Sequence, residues 1–508
     1  MTEPSLRHDS GRRVAPAEVG PPGRLTGNDI AIAVTFLVAA VALRSPGLGP
    51  PSLWLDDAWM ALVHRVDDPF VVMRMAVTAP GFGLLLKGVF SVLGFSEVAA
   101  QALPFVAGVV AAPGVFLLAR RLAVDPWVAA LGASMVLLSP VHVAYSTNVK
   151  PFTLDLVLAL LLTWRAFEVA WEPSNVRLSR LALLGALATF VSGSVAPVAL
   201  VAVVAPALPG LRRGDLRQLL WPSAYVILLL GWGAALRSQA VPEPLTSYWS
   251  AHLSTTPLDP MVLIWDVVVG FVGGQLLGAV VIAVLLAGVV KMTSTQRFLL
   301  LGPLVVAAAA SFAGVPLGTG RTDIYLYGAL ALAVAVSLDR WTIRGRTAVI
   351  MLVIVLGWML LPVPRANYAD PTGTMQEETR PLVERAGREI GATDQLFTLG
   401  SYYAVALYGP WDFTVYSAPR TTQGWWPMID DQRVVRLPFA PTPEALADSP
   451  PVPTGDRVFL LHSHLDVTVF EAAERHIEAG GYVRQDLEIT TGARMGIYTR
   501  DVQDGAGP

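Results

Sequence analysis

Apolar runs of bilayer-crossing length recur along most of this chain, with arginines and lysines between them. A hydrocarbon core needs roughly 20 predominantly apolar residues per helix, and windows of that kind begin at Ile30 and continue to Leu361. Only 15% of the residues are charged and 54% are hydrophobic. Mean hydropathy is +0.54, far above that of a soluble domain. The fold class expected is a polytopic α-helical membrane protein. The net charge of −3 and the lack of any basic domain argue against nucleic acid as a partner. With no cysteine, disulfides, zinc–thiolate sites and thiol catalysis are excluded.

The basic residues orient the spans. Residues 1–27 are polar and contain Arg7, Arg12, Arg13 and Arg24, which predicts a disordered cytoplasmic tail. The apolar run at 30–43 reads as a retained anchor, because no small-residue cleavage site follows it. Residues 80–95 hold Lys87 and several glycines and read as a helix lying in the interface. With that reading, Arg120, Arg121, Arg177, Arg180, Arg297 and Arg340 all fall on the cytoplasmic side. The count comes to about eleven spans. They include 152–167, 195–208, 261–290 read as one span, and 349–361 as the last. Residues 28–364 thus form a multi-span domain with a first outer loop at 47–97. Residues 365–508 are polar and read as an extracytoplasmic α/β domain. Its strands are expected at 395–399 and 458–462, its helices at 384–390 and 470–478, and a closing hairpin turns at Thr491–Gly492. The expected location is the plasma membrane, multi-pass, with the N-terminus cytoplasmic.

The first outer loop holds the most unusual local chemistry. Asp56 and Asp57 are adjacent and lie between Trp54 and Trp59. Aromatic rings favour the membrane interface, whereas charge there is expensive and usually functional. The same outer face receives Tyr145, Lys150, Asp155, Trp249, Arg321 and Asp323. A carboxylate so placed could act as general base toward a hydroxyl. Lys150 or Arg321 could hold a phosphate by charge-assisted hydrogen bonds, and a set of carboxylates could hold a divalent cation, Mg or Mn. Each residue also has a plainer reading. The acids could be a solvated face, Lys150 and Arg321 could snorkel to the interface, and Asp155 could cap its helix or pair with Lys150. His462 and His464 suggest a metal, but read more simply as loop residues at a strand end. Trp425 and Trp426 could bind sugar or dock the domain onto the membrane.

Four motifs in order resemble a known family. Leu55–Asp56–Asp57–Ala58 after the first span resembles the Asp-Glu signature of the GT-C membrane glycosyltransferases, of the protein-O-mannosyltransferase and aminoarabinose-transferase type. Residues 78–97 resemble that family's loop helix, residues 102–140 its next helical hairpin, and residues 145–164 its Arg-Pro-Tyr segment. Residues 320–333 resemble a late Arg-Tyr segment. The resemblance implies that Asp56 is the catalytic base, with Asp57 at the position usually held by Glu. It implies that Lys150 and Arg321 bind the donor phosphate, and that Asp155 is a second acid near phosphate or metal. Trp54, Trp59, His64 and Tyr145 are expected to contact the acceptor or shape the loop. Two positions depart from the pattern: residues 78–81 lack the basic residue and second proline, and Gln101–Ala102 stands where an arginine is common.

The implied function is inverting transfer of a sugar from a polyprenyl-phosphate donor to a hydroxyl of a glycan, lipid or protein acceptor at the outer face, with membrane lipid as the other partner. The alternative is a lipid-linked-glycan transporter, or a non-catalytic scaffold with the same fold.

Overall fold

A computed structural model describes residues 22–49, 52–76, 78–209, 215–237, 249–341, 347, 351, 377–417, 425–437, 442–447 and 451–501. The span expected at 349–361, most of the N-terminal tail, Tyr248 and the side chains of Trp425 and Trp426 lie outside the described residues.

The helix Gly27–Arg44 starts at a capping box. Thr26 accepts from the Asp29 backbone N–H and Asp29 accepts from that of Thr26. Asp29 is buried and also takes Arg120 at 2.6 Å, which ties the first helix to the end of Glu97–Arg121. The segments Gly27–Gly47 and Glu97–Arg121 are each long and apolar enough to cross a bilayer. A third crossing is reached only if Asp259–Val272 and Gln275–Val289 count together. The run at 261–290, expected as one span, is thus two helices that meet at a bend of 112°. Gly273 sits at φ +74° and ends the first helix, which a side chain would disfavour. A Cβ there would also meet Pro140 at 3.0 Å.

The apolar helices Pro80–Leu93 and Pro126–Leu138 are shorter than a bilayer is thick. The run expected at 195–208 is a helix, Ala196–Val204, between two 3₁₀ turns. By length and hydropathy the described helices present two such crossings, or three with the bent pair. Hydropathy counts apolar residues and overlooks Pro and Gly breaks.

The loop that ends in Lys150 is anchored from below. Arg44 Nε donates to Ser146 Oγ at 3.0 Å, and its Nη2 lies 2.9 Å from His142 Nδ1. Gly108 of the helix Glu97–Arg121 makes room for this network, since a Cβ on Gly108 would land on Ser146 Oγ. Gly108→Ala is expected to lower stability by about 1–3 kcal/mol through overpacking. A fall in the thermal midpoint of the detergent-solubilised protein would register it, and an unchanged midpoint would refute the crowding.

From residue 377 the chain builds a five-stranded mixed sheet in the order β4-β1-β5-β7-β6. The strands are β1 (Gln395–Leu399), β4 (Val434–Arg436), β5 (Arg457–Ser463), β6 (Tyr482–Thr490) and β7 (Ala493–Arg500). β1 runs parallel to β4 and β5, whereas β7 is antiparallel to β5 and β6. A separate hairpin pairs β2 (Phe413–Ser417) with β3 (Trp425–Ile429). Alternation along the strands divides the core in two. Val458 and Leu460 pack with the helix Val467–Ala479. Phe459 and Leu461 face a cluster that also contains Leu53, Ala58, Leu62 and Phe82. The first outer loop and the C-terminal sheet thus share one hydrophobic core. Polar contacts reinforce it: Leu53 N–H donates to Tyr408 Oη at 2.7 Å, and Arg65 donates to the carbonyls of Ala406 and Trp411.

Candidate active site

The shared core holds the short helix Leu55–Ala61, which is entered through extended Trp54. Consecutive residues on a helix point about 100° apart, so the two acids have different surroundings. Asp57 is turned inward and 2% exposed. Asp56 faces outward with 39% of its side chain open. Lys150 Nζ approaches Asp56 Oδ2 to 3.6 Å, and Arg321 Nη1 approaches the same oxygen to 3.8 Å. Lys150 comes from the turn before the helix Phe152–Trp171. Arg321 comes from a turn in which Thr319 donates to buried Asp323 at 2.7 Å and accepts from the Arg321 N–H. Its guanidinium lies over the Trp249 ring, 5.0 Å from the centroid.

The C-terminal sheet supplies the other wall. His464 follows β5 in the left-handed region at φ +63°, unusual for a residue with a side chain. Its Nδ1 lies 2.8 Å from Oε1 of buried Glu377, and its ring lies 5.7 Å from that of Trp54. Tyr403, on the helix Tyr402–Tyr408, packs against Trp59 at 5.0 Å between ring centroids.

These surroundings drive the two carboxyls apart. Burial favours the neutral acid at Asp56, but the charges of Lys150, Arg321 and His464 outweigh it and hold the group below the usual carboxylate range. Burial raises Asp57 to about 7, with Lys150 only partly opposing it. Near neutral pH Asp56 is ionised while Asp57 is half protonated. The folded state binds the Asp57 proton more tightly than the unfolded chain does. Stability from this group is therefore present at low pH and is lost as pH rises from about 4 through about 7, at about 1.4 kcal/mol per unit. Asp57→Asn should gain on the native protein across that window. A difference in thermal midpoint that stays constant from pH 5 to pH 8 would exclude this account.

Lys150 and Arg321 thus meet Asp56, and Trp54 and Trp59 pack around its helix. With its amide oriented to satisfy both neighbours, Asn148 accepts from Trp54 Nε1 at 3.0 Å. Asp155 is buried in the first turn of its helix, and Tyr145 packs edge-on against Phe152 below the site. His64 is not beside Asp56. It stacks on Phe95 at 4.2 Å and meets Phe90 of the helix Pro80–Leu93 edge-on at 5.7 Å, so its contact is with the loop. A divalent cation does not fit here. Two cationic side chains already occupy the open carboxylate oxygen of Asp56, and no group of three or more acids or histidines able to hold a metal exists among the described residues. Sequence reasoning missed Glu377 and Tyr403, and read His464 as a loop residue. Only its pairing with His462 hinted otherwise.

Comparisons with known proteins bear on a segment of the chain and on its fold. Residues 77–232 match the dolichyl-phosphate-mannose-protein mannosyltransferase family. In fold, the chain is similar to ArnT from Cupriavidus metallidurans bound to undecaprenyl phosphate. The identity is 12% and the TM-score 0.53, over 95% of this chain and 98% of that one. It is also similar to the apo state of the same protein, at 13% identity and a TM-score of 0.47, over 93% and 97% of the chains. No curated protein matches.

Proposed function

We propose that this chain, a GT-C membrane glycosyltransferase by fold and by its matched segment, moves a sugar from a polyprenyl-phosphate donor to an acceptor hydroxyl at the outer face of the membrane. The observation that carries the reading is the single open carboxylate of Asp56, ionised and flanked by Lys150 and Arg321. Asp56 takes the acceptor hydroxyl proton. The acceptor oxygen bonds to the anomeric carbon as the bond from that carbon to the phosphate oxygen breaks, which inverts the centre. The departing polyprenyl phosphate gains a charge, and Lys150 and Arg321 are the donors that meet it. A bound phosphate draws the same two cations away from Asp56, and so raises its basicity when the donor is seated.

The topology of the proposal has the first outer loop and residues 377–501 outside, the N-terminus inside and about eleven crossings in all. Support comes from the shared core, which requires the loop and the C-terminal sheet to lie on one side.

When protonated, His464 brings a third positive charge from the C-terminal wall. Burial disfavours that charge, but Glu377 and then Asp56 raise the His464 pKa, against an opposing contribution from Arg321. A cation with a raised pKa is present below that pKa and is lost as pH rises through it. His464→Gln should lower kcat/KM about tenfold and flatten the alkaline limb of the pH profile. An unaltered profile would remove His464 from the site.

The deciding experiment reconstitutes the protein with labelled polyprenyl-phosphate sugar and scores sugar on a new acceptor. The bent pair Asp259–Val272 and Gln275–Val289 is the one feature that favours a transporter, since broken helices mark transport pathways. Movement of intact lipid across the bilayer without sugar transfer would establish that reading instead.

A further inference from the structure

The helix Phe152–Trp171 begins beside the site and ends at a second cavity. Its 20 residues rise about 30 Å, the thickness of a hydrocarbon core. The cavity at the far end has a volume of about 510 Å³. Four arginines line it, Arg121, Arg165, Arg177 and Arg180, against two acids, Glu168 and Glu172. Two pairs are internally balanced: Arg165 meets Glu168 at 2.6 Å, and Arg177 meets Glu172 at 2.5 Å. Arg121 and Arg180 are left as surplus cations and form no ion pair among the described residues.

Arg121 Nη1 donates to the Gly23 carbonyl at 3.5 Å. Arg121 Nε is buried without a hydrogen-bond partner, and so is Trp171 Nε1. The Arg121 guanidinium rests on the Trp164 ring, 5.8 Å from its centroid, which fixes the direction of its donors. Two unbalanced positive charges at one membrane interface call for an anion with several oxygens. The same wall carries Leu181 and Leu184, and the helix Asn175–Val191 continues with exposed Leu183 and Leu187. Such a face suits acyl chains running away from a headgroup.

We propose that this cavity binds the phosphate of an anionic phospholipid in the leaflet opposite Asp56. Arg121 and Arg180 hold the oxygens, and the chains lie along Leu183 and Leu187. Basic pockets between helices at a membrane surface recognise phospholipid headgroups in this way. The site uses none of the residues assigned to sugar transfer, so its test does not depend on that reading.

The test reconstitutes the full-length protein in nanodiscs of phosphatidylcholine, with and without a minor fraction of phosphatidylglycerol. Retained lipid is then measured by native mass spectrometry and stability by thermal midpoint. The native protein should retain phosphatidylglycerol selectively. Each of Arg121→Gln and Arg180→Gln should weaken retention about fivefold, and the double variant about thirtyfold. Arg180→Lys should keep most of the retention, and Arg297→Gln, at an interface arginine elsewhere, should leave it unchanged. Equal retention of both lipids, or equal loss in Arg297→Gln, would overturn the proposal. Full protection by soluble glycerol phosphate in phosphatidylcholine discs would also overturn it, since the site would then read a free phosphate ester.

Discussion

Asp56→Asn is expected to reduce sugar transfer by about 10²–10⁴-fold while leaving the protein folded. Asparagine keeps the shape of the side chain but cannot accept the acceptor proton. The position tolerates the change structurally, because Asp56 is partly open and its two ionic neighbours lie at 3.6 and 3.8 Å, not in tight hydrogen bonds. Losing the charge also leaves Lys150 and Arg321 without their carboxylate, which should strengthen binding of free polyprenyl phosphate. Turnover of labelled donor and lipid-phosphate affinity, measured on one preparation, separate the two effects. Near-native turnover would remove Asp56 as the base. Reduced turnover with weakened phosphate binding would mean that the residue organises the site without taking the proton.

Arg321→Ala should cost about 10²–10³-fold in transfer, the range found when a preorganised donor to a developing oxyanion is removed. The arginine is held from two directions. Trp249 lies under the guanidinium and the Thr319–Asp323 turn fixes the backbone, so its donors are aimed before substrate arrives. Arg321→Lys keeps a charge but loses the planar stack, and should recover only part of the rate. Kinetics with varied donor concentration distinguish the roles. A fall in kcat marks a contact made to the leaving phosphate in the transition state, whereas a rise in KM alone marks uniform binding of the donor. If both variants match the native enzyme, Arg321 is an interfacial anchor and not a phosphate ligand.

Much of the site was legible because charge near hydrocarbon is rare. Asp56, Lys150 and Arg321 stood out as ionisable residues close to apolar runs, and the structure gathers them around one carboxylate oxygen. The difference between Asp56 and Asp57 was not legible. Adjacent residues are equivalent in a sequence pattern, and only the packing of the helix Leu55–Ala61 buries one and opens the other. His464 and Glu377 were hidden for a different reason. They come from strand and loop ends more than 300 residues from the first acid, and long-range pairing leaves no local period.

In the C-terminal unit the expected strands and helices match β1, β5, the helices Arg380–Glu389 and Val467–Ala479, and the closing hairpin. Each has a strong apolar run or a glycine stop. The hairpin of β2 and β3 and the short β4 went unseen, being brief or interrupted by proline. The bend at Gly273 was not legible either, because hydropathy does not register a glycine turn inside an apolar run.

The core shared by the first outer loop and the C-terminal sheet has a consequence for how the protein is made. Leu53, Ala58, Leu62 and Phe82 are synthesised more than 300 residues before their partners Leu396, Phe459, Leu461 and Met495. At roughly 5–20 residues per second, the nascent chain holds the loop's apolar surface uncovered for tens of seconds. Competence is therefore acquired only once the strands through β7 have emerged, and a chain that stops before β5 should insert into the membrane yet lack a formed site.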